Sequence, residues 1–349
     1  MQALILTGGF GTRMRPLTYT VPKPLLPIVD RPMVEHILDR LPREVNRVVM
    51  ASNYKIDRIE EYFAGCDHPF EVLVVDEPEP RGTGGAIRNA EEHIDEEFFV
   101  FNGDIITSLD LTDLAAFHRE RGGIGTLAAW EVEDPTAFGI MDIGDDGRIR
   151  RFKEKPGPEE VFSRWINAGT YLLEPEIMDH IPPARKVSIE REVFPNVLDK
   201  GLNGFPFTGY WVDCGKPHQF LDANRLVLTK VLKGGVITSP DARIDPSADL
   251  VSPLWLGQGS SVGPGSKIGP YSIVGSGCSV GEGCTLEDSV MMPGSSLGPN
   301  SQVKGSILGG DVEVGSGCEI PEGCVVGYGE LLDDNTVMRP DQRQPPVEE

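Results

Sequence analysis

Positive charge is scarce in this chain. Its 32 lysines and arginines stand against 54 aspartates and glutamates, a formal charge of −22. The deficit is spread, with −12 over residues 1–232 and −10 over residues 233–349. Such a surface repels phosphate backbones and anionic lipid, which argues against nucleic-acid and membrane partners. It reads as a well-solvated surface, or as one suited to a salt-rich cytoplasm. Long apolar runs are missing too: no stretch of about 18 apolar residues occurs, so no spanning helix is expected. The opening MQALILTGG enters a strand-like run directly and lacks the charged-then-apolar layout of a secretion signal, so a cytoplasmic protein is expected. The cysteines (Cys66, Cys214, Cys278, Cys284, Cys318 and Cys324) form no CxxC pair, and no histidine lies beyond His218. A zinc site is therefore not expected, and a cytosolic chain would keep these thiols reduced.

What is present divides in two. Up to Leu232, short apolar runs (ALILTGG, RVVMASN, FEVLVVD, FFVFNGD) alternate with stretches of helical spacing (MVEHILDRL, YKIDRIEEYF, GGAIRNAEEHI, DLTDLAAFHRER). That alternation predicts an α/β domain over 1–232 with a mainly parallel sheet covered by helices, its ligands beyond the C-terminal strand ends. From Ile244 an apolar residue recurs every six positions through Leu250, Leu256, Val262, Ile268, Val274, Val280, Leu286 and Met292. After a slip the beat continues at Leu297 and Val303, slips again, and runs from Leu308 to Val326. A six-residue period fits neither helix nor ordinary strand; it predicts a hexapeptide β-helix over 233–330. Two positions before each beat stand small residues, Cys278, Cys284, Cys318 and Cys324 among them, expected to pack inside the coil. The stretch 331–349 loses the beat and is expected to fray.

The segment LTGGFGTRMRPLTYTVPKPLLP, Leu6–Pro27, concentrates bare backbone and fixed positive charge at a strand end. It is neither the dinucleotide fingerprint, since Met14 stands where the third glycine belongs, nor a P-loop. Gly8, Gly9 and Gly11 would let backbone N–H groups approach phosphate oxygens. Thr12 lies beside Arg13, which offers a forked donor, and Lys23 offers a point charge. Asp104, after Asn102-Gly103 at the end of a strand, suits Mg²⁺, which takes one or two carboxylates plus phosphate oxygens. A second carboxylate from a distant segment would close that site, and Asp213 in GYWVDCG ends another such strand. In PRGTGGAIRNA, Thr83 is expected to cap a helix. Gly82, Gly84 and Gly85 are expected to leave room for a base.

GGFGTRMRPLT followed by PKPL resembles the signature of the sugar-1-phosphate nucleotidyltransferases, and most of all their mannose-1-phosphate guanylyltransferase branch. The resemblance covers nearly all of the chain but the tail. It implies a Rossmann-like catalytic domain followed by a left-handed parallel β-helix. It also implies a reaction in which an NTP and a sugar-1-phosphate give an NDP-sugar and pyrophosphate, with Mg²⁺ held by Asp104 and Asp213. In it Arg13 and Lys23 serve the triphosphate, and Lys155 in the EKP segment holds the sugar phosphate. Glu154, Asn167, Gly169, Gly139 and Glu190 lie on the sugar side. The thymidylyl relatives read their pyrimidine with a glutamine near the PRGTGG loop. None occurs from Arg81 to Ala90, which favours GTP over UTP or dTTP with glucose-1-phosphate. An acetyltransferase activity in the repeats would need a histidine base that they lack. An inactive regulatory subunit would be expected to have lost the loop or a metal aspartate, and both are intact. Stacked flat coils suit a homo-oligomer.

Overall fold

The computed structural model describes residues 1–347; Glu348 and Glu349, the last two of the expected tail, lie outside the described residues. The chain forms two compact units. The first comprises Met1–Phe10 and Val34–Trp211, the second Gly11–Met33 and the chain from Val212 onward.

In the first unit the β-branched runs become strands: β1 (Gln2–Leu6), β2 (Arg47–Ser52), β3 (Glu71–Asp76), β4 (Phe98–Asn102), β5 (Gly125–Glu131), β6 (Gly139–Ile143), β7 (Ile149–Glu154), β8 (Trp165–Leu173) and β9 (Leu202–Pro206). Their order is β7-β6-β8-β4-β1-β2-β3, with β5 joining β8 to β9. The half β4-β1-β2-β3 is parallel; β8 runs antiparallel to β4, β5 and β6. In this register Leu6 stands opposite both Ala51 and Asn102, and Ser52 opposite Asp76, so the strands of the parallel half end on one edge. Helices α1 (Met33–Leu38), α2 (Ile56–Ala64), α3 (Gly82–Asn89) and α4 (Leu111–Arg121) follow the strands as their spacing predicted. Asp110 caps α4, its side chain accepting from the N–H groups of Thr112 and Asp113. One continuous core runs from Leu4 and Val49 through Phe98, Tyr171 and Phe194.

The second unit carries α5 (Pro217–Leu226) and a parallel β-helix whose short strands stack in three columns of seven, six and five. The hexapeptide beat is the inward row: Leu256, Val262, Ile268, Val274, Val280 and Leu286 form its core with Leu297, Val303, Leu308, Val314, Ile320 and Val326. The slips are coils one residue short, since Val274 pairs with Met291 and Met291 with Leu308. Met291, not Met292 as the beat suggested, therefore joins the inward stack. From Ser260 on, the small residues before each beat are buried, and no disulfide joins any cysteine among the described residues. Burial pushes the Cys278 thiol up to about 11, so it is a packed hydrophobe and not a nucleophile. Leu286 is fully buried between Ile268 and Val303 of its column. Leu286→Ala should cost about 2–5 kcal/mol, read as a lower denaturant midpoint at unchanged m-value.

The chain beyond Leu331 does not fray within the described residues. Leu331–Leu332 pairs with Glu313–Val314, Val337 bridges Glu319, and Arg343–Gln344 pairs with Val325–Val326. The ladder uses backbone groups and continues without the beat, while Met338, 3% exposed, closes the core from this last circuit.

Candidate active site

The aligned strand ends of the first unit gather the expected nucleotide residues. Leu6 ends β1 beside Asn102, which ends β4, and the Gly103 N–H donates to the Leu6 carbonyl at 3.1 Å. Gly103 must be glycine, because a Cβ there would stand 2.9 Å from that carbonyl oxygen. This tight turn sets Asp104 directly after the β4 end. On the β1 side Gly8 and Gly9 are exposed. Gly9 has φ +114° with open space where a side chain would be, and its N–H donates to Asn53 Oδ1 at 2.8 Å. Two residues missed by sequence reasoning support this edge. Asn53 is one. Glu77 is the other: 3% exposed, it accepts from the Arg81 N–H at 2.8 Å, its other oxygen faces Gly8, and burial holds its carboxyl above the ordinary range. Their position just past the ends of β2 and β3 was the available signal.

The PRGTGG loop departs from expectation in two ways. Thr83 does not cap α3, which starts at Gly82 after Arg81 with no side-chain cap. Its hydroxyl instead donates to Glu190 Oε2 at 2.6 Å and accepts from the Ile189 N–H at 3.0 Å. Nor do the glycines leave a base-sized space on their Cα side. A Cβ on Gly82 would meet the Val187 carbonyl oxygen at 2.6 Å, one on Gly84 the Val187 side chain at 3.0 Å, and one on Gly85 the Arg81 side chain at 2.4 Å. Glycine is needed here so that residues 185–189 can lie against the helix start, where the Gly84 and Gly85 N–H groups both donate to Val187.

Through Thr83 this loop reaches the expected sugar-side residues. Glu190 Oε2 also accepts from Ser188 Oγ at 2.6 Å. Glu154, at the end of β7, lies beneath Gly139, whose absent Cβ would be 2.7 Å from Glu154 Oε2. Burial first, then the charge of Glu190, raises the Glu154 pKa. Asn167 donates to the Tyr171 hydroxyl at 2.8 Å and accepts from the Gly169 N–H at 3.0 Å. Gly169, at φ +70°, admits Asn102, which would be 2.6 Å from a Cβ. Trp211 donates to the Ala168 carbonyl at 2.9 Å and packs edge-on against Phe138, a packing role. Lys155 sits exposed just past β7 in a left-handed conformation, φ +50°, its N–H donating to Phe138 O. The first unit thus gathers Thr83, Glu190, Glu154 and Gly139 in one group and Asn167 and Gly169 in another, the two meeting at Tyr171, whose hydroxyl bonds Asn167 and feels the charges of Glu190 and Glu154.

Two predictions arise here. Thr83→Val removes a hydrogen bond to a charged group, worth about 1.5–3 kcal/mol. It should raise KM for the sugar phosphate about tenfold or more, with KM for the nucleotide changing less. Glu154→Gln should gain stability over the parent as pH rises. Below the ordinary carboxylate range the group is protonated in folded and unfolded chains alike, and the substitution is neutral. Above that range the unfolded chain ionises freely while the folded one must bury the charge. The gap in melting temperature should therefore open as the pH rises above the ordinary carboxylate range, and a constant gap excludes it.

In the second unit, Gly11 takes φ +57° and opens the turn Thr12–Met14. Thr18 donates to the Gly11 carbonyl at 2.9 Å and fills the space a Cβ would need. Arg13 is exposed above buried Met14, and Lys23 begins the turn Lys23–Leu25, which follows a second turn at Leu17–Tyr19. Arg13 and Asp213 meet over Gly215, where a Cβ would be 2.9 Å from Asp213 Oδ1 and 3.0 Å from Arg13 Nη2. Arg343, absent from the sequence reading, donates from Nη1 to the Arg13 carbonyl at 3.0 Å and to the Arg15 carbonyl. Gly327 receives Pro16, 3.2 Å from where its Cβ would be. The β-helix thus carries the signature loop on its last coil.

Comparison with known proteins agrees with this geometry. Residues 2–230 match the nucleotidyl transferase family, and residues 250–342 match the GMPPB C-terminal domain. A mannose-1-phosphate guanyltransferase of Eremothecium gossypii is 40% identical over 70% of this chain and 73% of its own. That of Saccharomyces cerevisiae is 39% identical over 71% and 72%. HddC of Yersinia pseudotuberculosis, solved complexed with GMP-PN, superposes with a TM-score of 0.54 at 29% identity, over 64% of this chain and 98% of its own. With that match running over residues 2–230, and so over the whole sheet, the chain belongs to the nucleotidyl transferase family.

Proposed function

We propose that this protein transfers the guanylyl group of GTP to mannose-1-phosphate, giving GDP-mannose and pyrophosphate, with Mg²⁺, in the cytoplasm and as a homo-oligomer. The observation that carries the reading is the edge where β1 and β4 end together, the exposed Gly8–Gly9 backbone following one strand and Asp104 the other. It is supported by relatives at about 40% identity named for that reaction. No helix among the described residues is long and apolar enough to cross a membrane.

In the proposed reaction a phosphate oxygen of the sugar phosphate attacks the α-phosphorus in line, and the bond to the β-phosphate breaks. The attacker is already anionic, so no protein nucleophile or base is needed. The obstacle is repulsion between two polyanions, and catalysis is positioning plus charge stabilisation. Leu6, Gly8, Gly9, Gly11, Thr12 and Asn102 bind the nucleotide in this reading; Arg13 and Lys23 neutralise its triphosphate. Lys155 holds the sugar phosphate, and Glu154, Asn167 and Glu190 accept from sugar hydroxyls. Asp104 and Asp213 are the proposed metal ligands; two hard carboxylates fit Mg²⁺, which when bound offsets charge on the phosphates. Pyrophosphate release from each of four nucleoside triphosphates against several sugar-1-phosphates tests the proposal. Highest kcat/KM is expected with GTP and mannose-1-phosphate; a preference for dTTP or UTP with glucose-1-phosphate overturns the assignment.

A further inference from the structure

Glu35, Cys66 and His68 take no part in any of the chemistry above. They come from separate pieces of the first unit: Glu35 from α1, Cys66 and His68 from the segment after α2. One carboxylate oxygen, the thiol sulfur and one imidazole nitrogen lie within 4.8 Å of one another. The Glu35 side chain is 7% exposed and that of His68 14%. His68 Nε2 stands 3.4 Å from Glu35 Oε1, yet among the described residues it is buried without a hydrogen-bond partner. A pair at this distance with poor hydrogen-bond geometry has another use. Metal–nitrogen and metal–oxygen bonds of about 2.0–2.1 Å at the tetrahedral angle put N and O roughly 3.3 Å apart.

The surroundings also suit a metal. The Tyr62 hydroxyl donates to Glu35 Oε1 at 2.8 Å, the kind of outer hydrogen bond that orients a ligating carboxylate. His68 stacks on Phe70 with ring centroids 5.2 Å apart and planes within 8°, which fixes the imidazole. Cys66 is half-buried, and its thiol donates to the Tyr62 carbonyl at 3.3 Å.

We propose that Glu35, Cys66 and His68 bind one borderline-soft divalent cation of the Zn²⁺ type, with water as the fourth ligand. Binding displaces the thiol proton to solvent and leaves a thiolate–metal bond. One sulfur, one nitrogen and one oxygen make a set that Mg²⁺ does not select, so this site is distinct in chemistry from Asp104 and Asp213. It would fasten the end of α2 to α1. The Cys-x-His pair is short and its third partner lies far upstream, which is why spacing alone argued against zinc.

Titrating Co²⁺ into the full chain, with Mg²⁺ in large excess, tests the site. One equivalent should give tetrahedral visible bands and a near-ultraviolet sulfur-to-cobalt charge-transfer band, both removed by Zn²⁺. Cys66→Ser should abolish the charge-transfer band, and His68→Ala should weaken Co²⁺ binding about tenfold or more. Both variants should keep the Mg²⁺-dependent turnover of the parent. A band that persists in Cys66→Ser overturns the proposal. So does its absence from the parent protein, which leaves Glu35 and His68 as an ion pair only; that spectrum decides the matter even if a variant folds poorly.

Discussion

Arg13→Ala should leave a folded protein whose kcat falls about 10²–10³-fold, roughly 3–4 kcal/mol of transition-state stabilisation. The fold should survive because the turn does not depend on this side chain. Met14 is its buried anchor, Gly11 supplies the left-handed residue that opens it, and Thr18 ties the Gly11 carbonyl. The Arg13 guanidinium is exposed and stands with the Asp213 carboxylate around one point at Gly215. In the proposed reaction a forked cation held there would serve phosphate oxygens, and its loss would leave developing negative charge unscreened. Asp104→Ala should fall in the same range for the same electrostatic reason. Steady-state pyrophosphate release, beside circular dichroism and a melting curve, checks both. Near-normal turnover in either variant would remove that residue from the mechanism.

The second large effect lies far along the chain from any expected site residue. Arg343→Ala should lower kcat/KM for the nucleotide about 10- to 100-fold, with KM for the sugar phosphate little changed. Arg343 touches no proposed substrate position. It is a positioning residue, donating to the backbone carbonyls of Arg13 and Arg15 from the last coil of the β-helix. Hydrogen bonds from a charged donor are worth about 1.5–3 kcal/mol each, and their loss leaves two carbonyls unsatisfied and the signature turn loose. Lysine carries the charge but not the planar fork, so Arg343→Lys should recover only part of the loss. Removing the chain from Leu331 onward should match Arg343→Ala in its effect on the nucleotide. If Arg343→Ala changed only the melting temperature, the coil would be a stabilising element and nothing more.

These expectations show where sequence reading was sufficient. The strand ends at Leu6 and Asn102 and the tight turn before Asp104 follow from local patterns: β-branched runs, then glycine and asparagine. The six-residue beat gave the β-helix because a coil that repeats its own geometry must repeat its inward residues. The beat misplaced Met292 because a one-residue deletion in a coil shifts which side chain points in, and only strand pairing reveals where the shift falls. The glycines of PRGTGG were misread for a related reason. Glycine marks close approach, but the sequence does not say whether a ligand or residues 185–189 makes it.

The amino-acid sequence by itself determined the two folding patterns and the glycine-rich turn that follows β1. Each of these is written in local spacing and side-chain chemistry. Tertiary structure alone decided that Thr83 serves Glu190, that Glu154 lies half-buried against Gly139, and that Arg343 grips the backbone of Arg13 and Arg15. Those contacts join segments remote in the chain, and their geometry is set by how sheets and coils pack rather than by neighbouring residues.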